Sequence, residues 1–243
     1  GSDIRCISCH ETNEWNPSVD NNGMIIYTRW DYVDRGATHM HSAWITTPDG
    51  HDARAITLNY PIPTRNMWNI ADVPLMQMSL RAIPNSRKIV GTAAAHHGQN
   101  YGTLIIIDPD VEDDDSSATI TNITPDNNGY PESGGGGRRY ATPYPLSEEL
   151  FLCVHSPTMS GHTTSDNFQR YGIYLIDTKG NKELIYLDPD LSALEPIPVR
   201  PRPKPNALTV SEMPEGDTYV VAESDRGGSA VVQENRPEGR VMV

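Results

Sequence analysis

Six of the eight histidines fall in one kind of place, a polar loop between two strand-like runs. His39 and His41 separate Met24–Trp30 from the run ending at Thr47. His96 and His97 separate Lys88–Ala94 from Gly102–Ile107. His155 and His162 separate Glu149–Val154 from Gly172–Asp177. Neutral imidazole is the commonest metal-binding side chain, and carboxylates beside it orient the ring. Arg29, Asp31, Asp34 and Arg35 lie next to the first pair. His39, His41, His96 and His97 are therefore candidate ligands for a divalent metal such as zinc, copper or iron. Arg29, Asp31 and Arg35 are candidates for a ligand site, the arginines suiting an anion. No fixed spacing of the His-Glu-x-x-His kind accompanies them. Histidines in polar loops also bond to backbone carbonyls, and His41 could belong to the following strand and face a neighbouring element.

A second constellation is Cys6-Ile7-Ser8-Cys9-His10. It matches the c-type haem attachment pattern, in which both thiols bond the porphyrin and the histidine ligates iron. If Ile4–Cys9 is a strand, Cys6 and Cys9 point to opposite faces and cannot both reach one porphyrin. A metal or redox pair and ordinary strand cysteines are the other readings. Cys153 sits in an apolar run and is expected to be a buried thiol. Three cysteines make no disulfide framework.

The elements that must position these residues are strands. Pro, Gly, Asn, Asp and Thr are frequent, and no stretch carries a strong 3.6-residue period, so the expected class is all-β. The length of 243 residues allows one or two domains. A formal net charge of −13 argues against a nucleic-acid partner and against docking on an anionic membrane. No apolar run approaches the ~20 residues of a membrane-spanning helix. Among weaker signals, Glu112–Asp115 lacks the spaced ligands of a calcium loop, and no Gly-x-Ser-x-Gly elbow or phosphate-cradling glycine loop is present.

The strand-loop-strand plan recurs three times, with Asp49, Asp108 and Asp177 each closing a middle strand. Such recurrence points to a β-propeller of about three blades plus flanking strands, part of a ring of about six. Ile4–Cys9 is expected to be a late strand of a preceding blade, Glu11–Asn22 a turn-rich patch, and Met24–Trp30 the innermost strand of its blade. All the histidine loops would then emerge on one face. Residues 1–205 would hold the blades, with Pro196–Pro205 extended at their end. Residues 206–243 would form a polar tail or the start of a further blade, with a strand at Thr218–Ala222.

Asn16-Pro17-Ser18-Val19-Asp20-Asn21-Asn22-Gly23-Met24-Ile25-Ile26-Tyr27-Thr28-Arg29 resembles the repeat of TolB-like β-propellers. Tyr27–Arg35, His96-His97-Gly98, Tyr144–Glu148 and Arg200-Pro201-Arg202-Pro203 resemble the propeller domain of proteins related to the hydrazine synthase alpha subunit. The resemblance covers roughly residues 4–205. It implies a six-bladed or similar propeller in an exported protein, periplasmic or extracellular; its histidine-rich face would bind a small-molecule ligand, a metal or a protein partner, and the alternatives are a c-type haem redox protein using Cys6, Cys9 and His10 and a plain interaction propeller. In hydrazine synthase this domain carries a c-type haem and couples nitric oxide with ammonia. That haem motif is expected beyond the Arg-Pro-rich segment, where this chain has no Cys-x-x-Cys.

Overall fold

The computed structural model describes residues 4, 6–8, 10, 13–31, 41–58, 74–95, 100–112, 118–127, 129–131, 137, 139–157, 170–208, 218–221 and 231–234. All regular structure among them is β. Strands β1 (Asn13–Val19), β2 (Ile25–Trp30), β3 (His41–Thr46) and β4 (Arg54–Ala55) form an antiparallel meander. Strands β5 (Met76–Ala82), β6 (Ile89–Ala94), β7 (Gly102–Ile107) and β8 (Ile120–Asn122) repeat it. Strands β9 (Tyr140–Pro145), β10 (Leu150–His155), β11 (Gly172–Asp177) and β12 (Lys182–Tyr186) repeat it again. Bridges His41–Met76 and Gly102–Tyr140 join the meanders into one mixed sheet of twelve strands. That sheet does not close on itself. A separate two-stranded sheet pairs β13 (Thr218–Val221) with β14 (Val231–Glu234).

Each meander begins with a strand carrying one extra residue. From Trp15 to Ser18 the chain advances three residues while β2 advances two, from Thr28 to Ile26. The same mismatch separates Met78 from Arg81 against Thr92 and Val90. It recurs between Ala141 and Tyr144 against Val154 and Leu152. These are β-bulges, which bend a strand and switch the face its side chains occupy. At each bulge a non-glycine residue is left-handed: Asn16 (φ 48°), Ser79 (φ 53°) and Thr142 (φ 46°).

The meanders pack face to face through two apolar cores. Ile26, Ala43, Leu80, Ala93, Ile105 and Ile107 fill the layer between the first and second. Val90, Leu104, Tyr140, Phe151, Cys153 and Ile176 fill the layer between the second and third. Alternation along β7 explains this: Ile105 and Ile107 face one neighbour, Leu104 and Ile106 the other. Each fully buried aliphatic or Phe side chain contributes about 1.5–3 kcal/mol.

The first-to-second-strand turns are tied in series at one end. Asn21 Nδ2 donates to the carbonyls of Ile83 (2.7 Å) and Ser86 (2.9 Å). Lys88 Nζ donates to Glu148 at 3.0 Å. At the other end, the bridges join the start of β3 to the start of β5 and the start of β7 to the start of β9. The connections between second and third strands, where the histidines cluster, therefore all leave from that second end.

Three expectations are corrected. Met24–Trp30 is not the first strand of its unit: β1 precedes it, so the histidine loops join second to third strands. The stretch expected to be a turn-rich patch, Glu11–Asn22, holds β1. Asn16 and Pro17 sit at its bulge, and Pro is tolerated on an edge strand because its missing N–H is not needed there. The expected strand Ile4–Cys9 is no strand among its described residues, although Ile7 packs over the Gly50 turn. Strand bounds otherwise move by a few residues, and the fourth strands β4 and β8 are shorter than expected.

Cys153 is fully buried, and burial pushes its thiol well above the usual range. Cys6 is exposed. With Cys6 and Cys9 replaced by serine, iodoacetamide is expected to label Cys153 on the order of 100-fold more slowly in buffer than in urea. Equal rates would show that the second core opens readily.

Candidate functional site

The described histidines of the loop end are packing residues. His41 is buried and stacks on Trp30 at 4.9 Å, with Trp15 at 5.3 Å on another side. Register explains the stack, because Trp30 and His41 are directly paired across β2 and β3. His155 is also buried. It stacks on Tyr140 at 4.1 Å, and its Nδ1 lies 3.0 Å from the Arg139 carbonyl. A carbonyl only accepts, so Nδ1 carries the proton. Burial holds this imidazole's pKa down at about 4. His39, His96, His97, His162 and Arg35 lie outside the described residues. Among the described residues no group of three or more His, Cys, Asp or Glu side chains converges as a metal site.

Arg29 and Asp31 are brought together. Arg29 Nε donates to Asp31 Oδ1 at 2.8 Å, and the guanidinium lies 4.1 Å from the centre of the Trp44 ring. Glu14, Tyr27 and Trp44 share this face of the first meander, because register pairs Glu14 with Arg29 and Tyr27 with Trp44. It is the face turned away from the core shared with the second meander. His10 joins the same cluster. Its Nε2 is 3.2 Å from the Tyr27 hydroxyl and 3.1 Å from Glu14. Burial, then the Arg29 charge, holds the His10 pKa below its ordinary value against the pull of Glu14 and Asp31.

These contacts do not fit a haem. The histidine of an attachment motif must turn a ring nitrogen to iron, and His10 Nε2 faces Tyr27 and Glu14. The Cys6 thiol is exposed and bonded to the Ser8 carbonyl at 3.1 Å. Cys9 lies outside the described residues.

The third meander holds a polar network. Tyr140 donates to Asp126 at 2.7 Å, and Lys182 Nζ donates to the same carboxylate at 2.8 Å. Burial works to raise Asp126, but the Lys182 and Tyr140 hydrogen bonds outweigh it and hold the acid below the usual range. Burial, then the Asp126 bond, pushes the Tyr140 phenol well up. The network ties the first residues of β9 and β12 to Asp126, in the segment between β8 and β9.

The concave site lies elsewhere. A cavity of about 140 Å³ is lined by Asn16, Pro17, Ser18, Ser79, Leu80, Arg81, Thr142 and Glu195. All three bulged residues are present, and the fourth, Glu195, is left-handed as well (φ 47°). The interval from 16 to 79 equals that from 79 to 142, and 142 to 195 is ten residues shorter. Glu195 thus extends the series one step, in the segment after β12. There Ala193 N donates to the Tyr171 carbonyl at 2.8 Å, and Glu195 N donates to Thr142 Oγ1 at 3.2 Å. On the opposite side, Ser18 Oγ donates to the Leu80 carbonyl at 2.7 Å. The segment then runs on until Asn206 lies against Gly23, in the β1–β2 turn of the first meander. Gly23 (φ +89°) is required there, because a side chain would run into the Asn206 carbonyl.

A left-handed non-glycine residue costs on the order of 1–3 kcal/mol, and such strain clusters at functional sites. For Thr142, β-branched, the conformation is a true outlier. None of the four was a candidate from sequence. A signal existed: Asn16-Pro17, Thr142-Pro143 and Glu195-Pro196 repeat a polar residue before proline near a fixed interval.

No protein-family model matches the chain, and no curated protein matches it either. Among solved structures it is similar to Kuenenia stuttgartiensis hydrazine synthase, with a TM-score of 0.58 and 19% identity. The likeness covers 83% of this chain and 23% of that one. This chain therefore spans less than a quarter of the length of the protein it matches, and at this identity the likeness shows a shared fold in that part alone.

Proposed function

We propose that the chain is a run of propeller blades serving as a ligand-binding module of an exported protein, with the cavity between the first strands as its binding site. One observation carries it: three successive first strands and the segment after β12 each place a strained, left-handed residue on a single concave surface. Blades arranged about an axis bring their first strands together at a central channel, where a repeated residue meets its own copies. The fold likeness to part of hydrazine synthase is compatible with this arrangement, and export is inferred from the resemblance to that family. The test is a thermal-shift screen of small polar molecules against the chain and its Arg81→Ala variant. A ligand that stabilises the first and not the second is expected. If no molecule stabilises the chain, or the variant responds equally, the cavity is not the binding site.

A second proposal is favoured by the shared end of the three second-to-third-strand loops. His39, His96 and His97 would there hold a divalent metal, His41 being buried and stacked on Trp30. Stoichiometric zinc, copper or iron by metal analysis, lost in the His96→Ala/His97→Ala variant, is the expected result. Background metal in the unaltered chain removes this proposal.

A further inference from the structure

We infer that the cavity takes a small zwitterion, an aliphatic amino acid with its ammonium and carboxylate at opposite ends; this rests on the cavity's being the ligand site. Arg81 and Glu195 both line the cavity, yet no ion pair joins them among the described residues. The one described partner of the Arg81 guanidinium is the ring of Tyr144, at 5.6 Å. Two residues of opposite charge that line one cavity without pairing give it a bipolar lining. A simple anion would satisfy Arg81 and be repelled by Glu195, and a simple cation would suffer the reverse. Only a ligand carrying both charges gains at both poles, and the mismatched pole excludes the others.

Two hydroxyls add hydrogen-bonding capacity to the lining: Thr142 Oγ1 accepts from Glu195 N and keeps its own O–H, and Ser18 Oγ gives its hydrogen to the Leu80 carbonyl and keeps its lone pairs. Leu80 and Pro17 supply an apolar wall for a short methylene stem. Size sets the limit. A cavity of about 140 Å³ compares with the ~150 Å³ that accommodates a six-carbon ring. The ligand is therefore of the order of glycine to a short ω-amino acid.

The experiment is calorimetric titration of the full chain with glycine, β-alanine and 4-aminobutyrate, and with acetate and methylammonium as half-ligands. One amino acid of the series is expected to bind best, its length reporting the gap between Arg81 and Glu195. Each half-ligand should bind at least tenfold more weakly. Arg81→Gln and Glu195→Gln should each weaken the best ligand at least tenfold with the circular dichroism unchanged. The exchange Arg81→Glu/Glu195→Arg should recover part of the loss, which a variant damaged in folding would not. The inference is overturned if acetate or methylammonium binds as well as the amino acids, if either Gln variant binds normally, or if none of the three binds at millimolar concentration. Where none binds but a neutral or singly charged molecule from the screen does so in an Arg81-dependent way, the zwitterion falls and the ligand module stands; where nothing binds, both fall.

Discussion

Gly102→Ala is expected to destabilise the chain by more than about 3 kcal/mol, a fall of about 10 °C in the unfolding midpoint. Gly102 opens β7 and bridges Tyr140 at the start of β9. A methyl group there would run into the carbonyl oxygen of Ala93 and come within 2.8 Å of Pro131 Cγ. Neither neighbour can yield cheaply, because Ala93 lies in the ladder with β7, where it pairs with Thr103. Relief requires the second and third meanders to part at their joint. Gly91→Ala is the control: the atom its methyl would meet first is Leu80 Cδ2, at 2.8 Å, a side-chain tip in the first core, with the Met78 carbonyl next at 3.2 Å, so a rotamer shift and not a broken joint relieves it. That variant should lose at most about 1–2 kcal/mol. Equal losses in both would mean that the joint yields as easily as a side chain. Because the cavity depends on β5 and β9 staying aligned, Gly102→Ala should also weaken ligand binding more than Gly91→Ala does.

The strands around this joint were legible because they are regular. Tyr101-Gly102 and Tyr171-Gly172 open successive third strands, and the two tyrosines stack at 4.2 Å. Asp108 follows β7 and Asp177 ends β11, and they accept backbone N–H bonds at 3.1 and 2.9 Å, the turn chemistry their residue type implies. The first strands were not legible in the same way. One extra residue in β1, β5 and β9 breaks the period-two pattern halfway along. Asn16-Pro17 and the two prolines of β9 then look like turn residues. With those strands unseen, Asn16, Ser79, Thr142 and Glu195 had no common surface on which to be recognised. His41 is a different case. Type and spacing are the same for a ligand and for a ring stacked on a tryptophan, and only register across β2 and β3 reveals what His41 touches.

His155 makes stability fall with acid in a defined window. Its neutral ring is buried against Tyr140 and Tyr174, with Nδ1 bound to the Arg139 carbonyl. The charged groups acting on it are Lys182 and Arg139, which disfavour a second proton, and Asp126, which favours it. Burial dominates, so the folded ring takes its proton only at about 4, whereas the unfolded chain takes it at about 6.5. Above the unfolded value both states are neutral and the contribution is complete. Between the two values the unfolded state holds more protons, so stability drops by about 1.4 kcal/mol per pH unit as the solution is acidified. Below the folded value both states are charged and the slope vanishes, for a total of about 3 kcal/mol. Asp126, held below the usual carboxylate range, adds its own loss only at lower pH. Urea midpoints measured from about pH 7.5 to 4 should therefore slope in the unaltered chain and slope less in His155→Gln, whose amide still donates to Arg139 but does not titrate, the remainder coming from His10, also held below its ordinary value. Parallel curves would mean that another buried group sets the acid limit of the fold.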